Sequence, residues 1–476
     1  MYSPAVVAAR QAVLEQSLAD TLPSGHLERI PVATCHSWRT DLDKLWDPEE
    51  KRPTRDLGQE EQAFVTNEQL LCTIDYRYAA ERYVWINYEG QSLRPMYPLW
   101  TSQELILQAV AREEEARWKA NHPDGLLFNV LKGRQLGAST LIQSLLAHRV
   151  LTHGHVRTLI ASDVPENSGS AGLFGMLELV VKHWPWWLKP RERFHTKNKH
   201  LMFENESRVI VESGKSMTGG LQEEGQSKGQ IGRSKTYSAA HLSEIATWER
   251  PDQINSSLLP AVPRTPRTLL VRESTAQGRN NYWHEEWKLA AAGEDPRFFN
   301  VFIPWYAEAS KYWLPCPDGW TPSDTTLAFA LRAQRTGPLY MHQPVTLTKE
   351  QLFWYEQHYR AAQKREVLYQ FLGEYPAEPE EAFQNSGRSI FTLEVQARVA
   401  AQARPMIDLW VVKPRAELLE DKERSRAEWQ ESQRQLVEQR HAQRVREASQ
   451  TVPGTTPQRL EVVEQPEPEL PVGGRA

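Results

Sequence analysis

The sequence predicts an α/β fold whose largely parallel sheet is flanked by helices. Short apolar runs of strand type alternate with segments in which apolar residues recur at helical spacing. This alternation is typical of parallel strands joined by helical connections. Three of the apolar runs end in polar sequences that contain Ser, Thr or Gly. Because ligands bind at the carboxyl ends of such strands, these three ends form the candidate site.

The predicted elements follow in order along the chain. Residues 101–118 carry apolar side chains at helical spacing, and the turn sequence HPDG comes after them. The apolar run LLFNVL at 126–131 predicts a strand, which is followed by a Gly-bearing loop and the helix LIQSLLAHRVL. Further strands are predicted at 156–163, 236–244 and 267–275, and a hairpin at 200–214.

The composition limits the class of protein. Hydrophobic residues make up 40% and charged residues 25% of the 476 residues, which predicts a soluble globular chain of two or three structural units. The net charge is −5, so any contact with nucleic acid must come from a local patch. The three cysteines form no CxxC pair, so neither a disulfide scaffold nor a zinc site is expected. With no signal-peptide pattern and no membrane-length apolar run, we expect a cytoplasmic protein.

The first strand end, KGRQLGAST at 132–140, is similar to a phosphate-binding loop. In such loops backbone N–H groups cradle phosphate, a Lys reaches the β- and γ-phosphates, and a hydroxyl binds Mg²⁺. Gly137 and Ser139 stand where the second Gly and the hydroxyl are expected.

The lysine of this loop is displaced. Ala138 occupies its usual position, whereas Lys132 and Arg134 lie at the front of the loop, from where they can supply the positive charge. An alternative interpretation stays open at this point. The segment is then a polar turn that starts a helix with Ser as its N-cap.

The second strand end is AAHLSEIA, which carries Ser243 and Glu244. A nucleoside triphosphatase needs an acidic residue here to orient Mg²⁺ or to accept the proton of the attacking water. Glu244 fits this role, and Ser243 stands where an Asp is common and can hold a metal-bound water. Alternatively, Glu244 is an ordinary strand-end carboxylate, one of 61 acidic residues.

The third strand end is ESTAQG at 273–278. Small hydroxyl residues at this point can sense the γ-phosphate and relay its loss to neighbouring elements. The alternative is a Ser/Thr turn that ends at a Gly.

In their order, these motifs resemble those of the large terminase subunits of tailed bacteriophages. KGRQLGAST resembles the family's Walker A loop, SEIA its Walker B strand end, and STAQG its coupling motif. Trp100 and Gln103 resemble the adenine-reading glutamine motif. FLGEYP at 371–376, with EEAF at 380–383, Gly387 and Phe391, resembles the end of the ATPase region. The resemblance covers roughly residues 60–391.

The resemblance implies a P-loop NTPase of the ASCE type, with a small helical lid subdomain. It implies an ATP-hydrolysing motor that uses ATP and Mg²⁺ and translocates double-stranded DNA into the procapsid through the portal protein. Such motors work in the host cytoplasm, dock transiently on the procapsid portal, form homo-oligomeric rings and act with a small terminase subunit.

The resemblance also implies roles for individual residues. Glu244 polarises the attacking water, and Arg233, in a Gly-rich loop, completes the site of the next subunit in the ring. The alternative for Arg233 is a surface or DNA-facing side chain. The remaining roles are nucleotide binding by Gln103, Lys132, Gly133, Arg134, Gln135, Gly137, Ser139 and Thr140, metal binding by Ser139, Ser243 and Glu244, and coupling by Ser274, Thr275 and Gly278.

Two segments are candidates for DNA contact. Residues 182–200 interleave Lys, Arg and His with Trp and Phe, which is a pattern able to grip a phosphate backbone. The alternative is a solvated basic loop whose Trp residues pack on the core. The Gly-rich loop at 214–234 carries Lys215, Lys228 and Arg233 and is the second candidate.

The C-terminal sequence departs from the family. Large terminases usually carry a nuclease that needs three or more carboxylates at two metals, but Asp408 and Asp421 are the only aspartates after Phe391. We therefore expect no nuclease here; either a separate nuclease subunit supplies it, or this product is incomplete. The predicted units are an N-terminal extension at 1–60, the ATPase core at 61–305, the lid at 306–391, a linker and charged helix at 392–449, and a disordered tail at 450–476.

Two other functions stay open on the sequence. One is a different helicase-like ring ATPase that moves nucleic acid without packaging a genome. The other is a non-catalytic assembly scaffold with a decayed site, which Ala138 and Ser243 suggest.

Overall fold

An eight-stranded sheet organises the part of the chain that this computed structural model describes, which comprises residues 2–16, 26–88, 92–197, 199–213, 236–252 and 254–384. These residues lie in one compact unit. The strands of this sheet and of two short hairpins are β1 (Trp46–Asp47), β2 (Arg52–Pro53), β3 (Trp85–Tyr88), β4 (Ser92–Pro95), β5 (Leu126–Lys132), β6 (Arg157–Ser162), β7 (Glu192–Thr196), β8 (His200–Phe203), β9 (Arg208–Ser213), β10 (Ala239–Ser243), β11 (Leu269–Ser274) and β12 (Phe298–Ile303).

Helices precede, separate and follow these strands. They are α1 (Pro4–Glu15), α2 (Val32–Asp43), α3 (Gln59–Ile74), α4 (Tyr76–Tyr83), α5 (Thr101–Lys119), α6 (Ala138–Thr152), α7 (Pro165–Ser168), α8 (Leu173–His183), α9 (Tyr282–Ala291), α10 (Asp324–Met341), α11 (Lys349–Lys364), α12 (Leu368–Glu374) and α13 (Pro379–Ala382). The helix predicted at 101–118, the strands predicted at 126–131, 156–163, 236–244 and 267–275, and the hairpin at 200–214 are all confirmed as α5, β5, β6, β10, β11 and the β8–β9 pair.

The strand order of the large sheet is β12–β5–β11–β10–β6–β9–β8–β7. The first six strands are parallel, and β8 and β7 extend the sheet as an antiparallel edge. The strand that leads into the predicted phosphate loop, β5, is separated from β10 by β11. The predicted α/β class, a mostly parallel sheet flanked by helices, is confirmed.

The central strands are buried on both faces, which explains why they are nearly continuous apolar runs. Side chains of β5 alternate between two apolar clusters: Phe128 and Val130 belong to one, Leu127 and Leu131 to the other. Helix α6 is buried along most of its length. This packing fixes the carboxyl ends of β5, β10 and β11 relative to the start of α6.

The helices after β12 pack around an aromatic cluster. The ring of Trp305 stacks with Phe329 and Tyr355 and lies against Trp354. This packing places α12, whose last residue is Glu374, close to the end of β12. There Trp305 N donates a hydrogen bond to Pro376 O at 3.1 Å. Helices therefore stand where the sequence predicts a lid, although the predicted unit boundaries stay predictions. Residues 392–476 lie outside the described residues.

Candidate functional site

The sheet brings the three predicted strand ends together at one edge. Ser243 on β10 is in register with Glu273 on β11, and Ser274 is in register with Leu131 on β5. Lys132 is the last residue of β5, and Glu244 follows β10 directly. Residues far apart in the sequence therefore meet where parallel strands place their ligands.

Lys132 connects two carboxylates at this edge. Its Nζ lies 3.1 Å from Oε1 of Glu273 and 3.8 Å from Oε1 of Glu244, and its side chain is buried. Burial alone would lower the pKa of Lys132, but the two carboxylates outweigh burial and hold that pKa above its ordinary value. Lys132 is thus a fixed positive charge at the centre of the site.

Glu273 is the residue that sequence analysis missed. Its side chain is fully buried, and Oε1 accepts a hydrogen bond from Ser139 Oγ at 2.7 Å, while Oε2 accepts one from His241 Nε2 at 2.6 Å. Burial would raise the pKa of Glu273, but Lys132, His241 and Ser139 together hold it well below its ordinary value. A charged residue inside the otherwise buried run LLVRES was the signal, since a buried carboxylate needs partners.

Ser139 and Thr140 have different surroundings. Ser139 lies in the first turn of α6, and its hydroxyl donates to Glu273. The interpretation that a Ser caps this helix is wrong, because α6 begins at Ala138 and its N-cap is Gly137. The hydroxyl of Thr140 instead contacts Met176 Sδ at 3.9 Å. The structure thus brings Ser139, rather than Thr140, to the carboxylates.

The loop before α6 depends on backbone conformations that favour glycine. Gly137 has a φ of 70°, and Gln135 also has a positive φ, of 51°. A Cβ at Gly137 would lie 2.8 Å from Nε2 of Gln103 and 3.2 Å from Cε3 of Trp100. The N–H groups in the first turn of α6 have no intrahelical acceptor, and such a turn favours phosphate.

Gln103 joins α5 to this loop. Its Oε1 accepts a hydrogen bond from Trp100 N at 3.1 Å, and its Nε2 donates to Gly137 O at 3.1 Å. The side chain is buried, and both of its polar atoms bind backbone groups. Its predicted contact with adenine stays a prediction.

The front of the loop is attached to β12 and α12. Gly133 N donates to Ile303 O at 3.1 Å, and Arg134 N donates to Glu374 O at 3.0 Å. The side chain of Arg134 is 61% exposed, and its Nε lies 2.8 Å from Oε2 of Glu374. Tyr312 donates a further hydrogen bond to Arg134 O. Of the two predicted phosphate cations, Lys132 lies among the strand ends and Arg134 faces α12.

Glu244 stands at a strained turn. Its backbone is left-handed, with φ 53° and ψ 40°, and its side chain is 33% exposed. Burial raises the pKa of Glu244, an effect that Lys132 partly opposes. Ser243 beside it is buried, and its carbonyl accepts a hydrogen bond from Trp248 Nε1 at 3.0 Å. A carboxylate on such a turn is accessible to water while its backbone stays fixed.

The third strand end touches the turn that follows Glu244. Oγ of Ser274 accepts a hydrogen bond from Ala246 N at 3.3 Å, and both Ser274 and Thr275 are buried. Gly278 has a φ of 78°. Of the predicted coupling residues, Ser274 is therefore in direct contact with the segment that follows Glu244.

The basic segment at 182–200 divides into two parts. Trp184 and Trp187 are buried in the core. Lys189 pairs with Glu192 at 3.1 Å, and Arg193 pairs with Glu206 at 2.6 Å. These contacts favour the interpretation that the tryptophans pack on the core, and DNA contact here stays a prediction. Arg233, Lys215 and Lys228, and also Gly387 and Phe391, lie outside the described residues.

Oxygen ligands dominate the site. Within the described ranges there is no group of three or more His, Cys, Asp or Glu residues that could hold a metal ion alone. Mg²⁺ typically takes one or two carboxylates and completes its coordination with substrate phosphates and water. Ser139, Glu244 and Glu273 supply hard oxygen atoms beside the first turn of α6, so the donor set fits this cation.

No helix in the described part of the chain is long and apolar enough to span a membrane.

Comparison with known proteins gives similarity at the level of structure. No family model matches the sequence, and no curated protein matches it. Solved structures that resemble the chain include the large terminase of bacteriophage HK97, with 16% identity and a TM-score of 0.39 over 63% of this chain and 53% of that one. The large terminase ATPase domain of Thermus phage P74-26 has 13% identity and a TM-score of 0.33 over 56% of this chain and 92% of that one.

A large terminase from a thermophilic bacteriophage is also similar, with 10% identity and a TM-score of 0.31 over 44% of this chain and 46% of that one. This chain spans about half the length of the HK97 large terminase. Because the identities and TM-scores are low, these likenesses by themselves establish neither family nor activity.

Proposed function

We propose that this chain is an ATP-hydrolysing motor of a phage DNA-packaging terminase, which translocates double-stranded DNA into a procapsid through the portal. The observation that carries the proposal is the meeting of Lys132, Ser139, Glu244 and Glu273 at the ends of β5, β10 and β11. The sheet order, with β11 between β5 and β10, supports the same class of enzyme.

In this proposal the loop and α6 bind the phosphates. The first-turn N–H groups of α6 cradle phosphate oxygens, and Gly137 lets the backbone approach them closely. Lys132 supplies the positive charge that Ala138 lacks, and Arg134 supplies a second charge from the α12 side. Ser139, Ser243 and Glu244, together with Glu273, would hold Mg²⁺. When bound, this cation would supply positive charge that offsets the negative charge of the phosphates.

Glu244 orients the attacking water and accepts its proton. Its side chain is partly exposed, so water can reach it, and Lys132 holds its carboxylate at 3.8 Å. A pKa that burial raises brings a carboxylate closer to the range in which it works as a general base.

Ser274 and Thr275 pass the result of hydrolysis on to the rest of the protein. The bond from Ala246 N to Ser274 Oγ joins the end of β11 to the turn after Glu244. A shift at one of these two strand ends therefore displaces the other. The contact between Arg134 and Glu374 offers a second path, from the loop to the helices that follow β12.

The partners belong to the same proposal. A homo-oligomeric ring on the portal, in the host cytoplasm, would place Arg233 of one subunit at the site of the next, where its charge stabilises the transition state. A small terminase subunit would deliver the DNA, and a separate nuclease subunit would cut it. The expected absence of a nuclease from this chain concerns residues outside the described ranges and stays a prediction.

A packaging assay tests this function. Purified chain, procapsids bearing the portal, linear double-stranded DNA and Mg·ATP are mixed, and DNA protected from added nuclease is measured. Protected DNA is expected with the wild type and none with Glu244→Gln. DNA-stimulated ATP hydrolysis without protected DNA would favour the other ring translocase, and the absence of any hydrolysis would favour the scaffold.

A further inference from the structure

We propose that Glu273 on β11 is the magnesium-site carboxylate of this enzyme and takes the place that an Asp at position 243 of β10 commonly has. This proposal rests on the proposed ATPase function. The second carboxylate of the site then stands on β11 instead of β10, and Glu244 stays the residue that acts on water.

The hydrogen bond to Ser139 is the first observation. The hydroxyl that is expected to bind Mg²⁺ donates to Oε1 of Glu273 at 2.7 Å. A carboxylate in this position receives the loop hydroxyl directly and would orient that hydroxyl toward a bound cation. Such an outer carboxylate orients the metal ligands and raises metal affinity.

The register of β10 and β11 explains how a carboxylate on β11 can replace one on β10. Ser243 and Glu273 are paired across the parallel β10 and β11 strands, so the two positions stand at the same height of the sheet. An Asp at 243 would place a third carboxylate beside Glu244 and Glu273, and like charges in a buried site oppose one another. The small, uncharged side chain of Ser243 therefore avoids repulsion with Glu273, the acidic residue on β11.

A chain of hydrogen bonds holds the carboxylate of Glu273 in place. Its Oε2 accepts from His241 Nε2 at 2.6 Å, and His241 Nδ1 lies 2.7 Å from Gln143 Nε2. Gln143 lies on α6 one turn after Ser139, so α6 contacts Oε1 of Glu273 through Ser139 and supports Oε2 indirectly, through His241 of β10. All three members of this chain are fully buried. Histidine–carboxylate pairs of this kind fix the orientation of metal-site groups.

Metal-dependent nucleotide binding tests the proposal. The affinity for a fluorescent ADP analogue is measured with Mg²⁺ and with EDTA, and Mn²⁺ binding to the nucleotide complex is followed by electron paramagnetic resonance. Glu273→Gln is expected to weaken metal binding by about 10- to 100-fold and to leave nucleotide binding in EDTA nearly unchanged. Glu356→Gln, which changes another buried carboxylate, on α11 and outside the site, is the matched control and should keep metal-dependent binding.

Two further variants keep the test decisive if Glu273→Gln folds poorly. Glu273→Asp keeps the charge for Lys132 but shortens the side chain, and it should also weaken Mn²⁺ binding. Ser243→Asp combined with Glu273→Gln returns the carboxylate to β10 and should restore much of the metal affinity.

Unchanged Mn²⁺ affinity in folded Glu273→Gln or Glu273→Asp would overturn the proposal for Glu273 and leave the ATPase function intact. Wild-type protein that binds no nucleotide at all would instead overturn the ATPase function, and the role of Glu273 with it.

Discussion

Arg134 Nε lies 2.8 Å from Oε2 of Glu374, and the backbone N–H of Arg134 donates to the carbonyl of the same residue. These two contacts join the front of the phosphate loop to the end of α12. Arg134 is largely exposed, so its ion pair contributes little to stability and is free to exchange partners.

The Arg134–Glu374 pair is expected to break when nucleotide binds. A double-mutant cycle of Arg134→Gln and Glu374→Gln should give a coupling energy of about 0.2–1 kcal/mol without nucleotide. With a saturating non-hydrolysable ATP analogue, Arg134 turns to the phosphates and the coupling should vanish. Urea denaturation in both conditions measures it, and equal coupling in both would mean that Arg134 does not contact the nucleotide.

Gly137 is expected to tolerate no side chain. Gly137→Ala forces a left-handed alanine and pushes its Cβ to within 2.8 Å of Gln103 Nε2, so stability should fall by more than the roughly 1–2 kcal/mol of conformational strain. Gly293 has a φ of 72° but open space around it, which makes Gly293→Ala the matched control. Denaturant unfolding of both variants separates the backbone strain that they share from the collision with Gln103, which only Gly137→Ala has. An equal loss of stability in the two variants would contradict the close packing of Gln103 against Gly137.

Lys132 is expected to be essential for stability as well as for phosphate binding. Lys132→Met leaves the fully buried Glu273 without its ammonium partner, and removing one member of such a pair costs about 3 kcal/mol or more. Adding Glu273→Gln to Lys132→Met removes the orphaned charge and should recover much of that loss. Chemical denaturation measures both steps. If Lys132→Met alone is as stable as the wild type, the buried ion pair is not formed in solution.

His148, which lies away from the site, is expected to make the stability of the fold depend on pH. It is buried on α6, its Nε2 donates to Cys72 O at 2.6 Å, and burial lowers its pKa from 6.5 to about 4. The unfolded chain therefore binds more protons than the folded chain between those two pH values, and stability falls as pH drops through that window. His148→Gln should reduce the slope of the free energy of unfolding against pH by up to about 1.4 kcal/mol per pH unit. A pH dependence of stability in His148→Gln equal to that of the wild type would contradict this role of His148.

Much of the fold follows from local sequence pattern. The apolar runs at β5, β6, β10 and β11 and the helical spacing of α5 depend on residues close together in the chain, and the structure has these elements at the predicted places. The polar strand ends also identified the edge at which the site lies.

The partners of individual side chains did not follow from the sequence, because they are set by distant contacts. Ser139 and Glu273 are 134 residues apart, and Arg134 pairs with Glu374, which lies much later in the chain. Along the sequence Glu273 follows Arg272 at the end of the apolar run LLV, and only the sheet order places it beside β5. The alternative of a Ser N-cap was wrong because α6 begins at Ala138 and has Gly137 as its N-cap.

ATP turnover by the wild type and by Glu244→Gln shows whether this chain is an ATPase that uses Glu244. The rate of phosphate release is measured with Mg·ATP, double-stranded DNA and portal-bearing procapsids, alongside the affinity for ATP. We expect turnover by the wild type, and for Glu244→Gln a fall in kcat of about 10²-fold or more with ATP affinity near the wild-type value. Glu244→Gln that turns over ATP at the wild-type rate, or a wild-type chain that shows no turnover, would refute the proposed function.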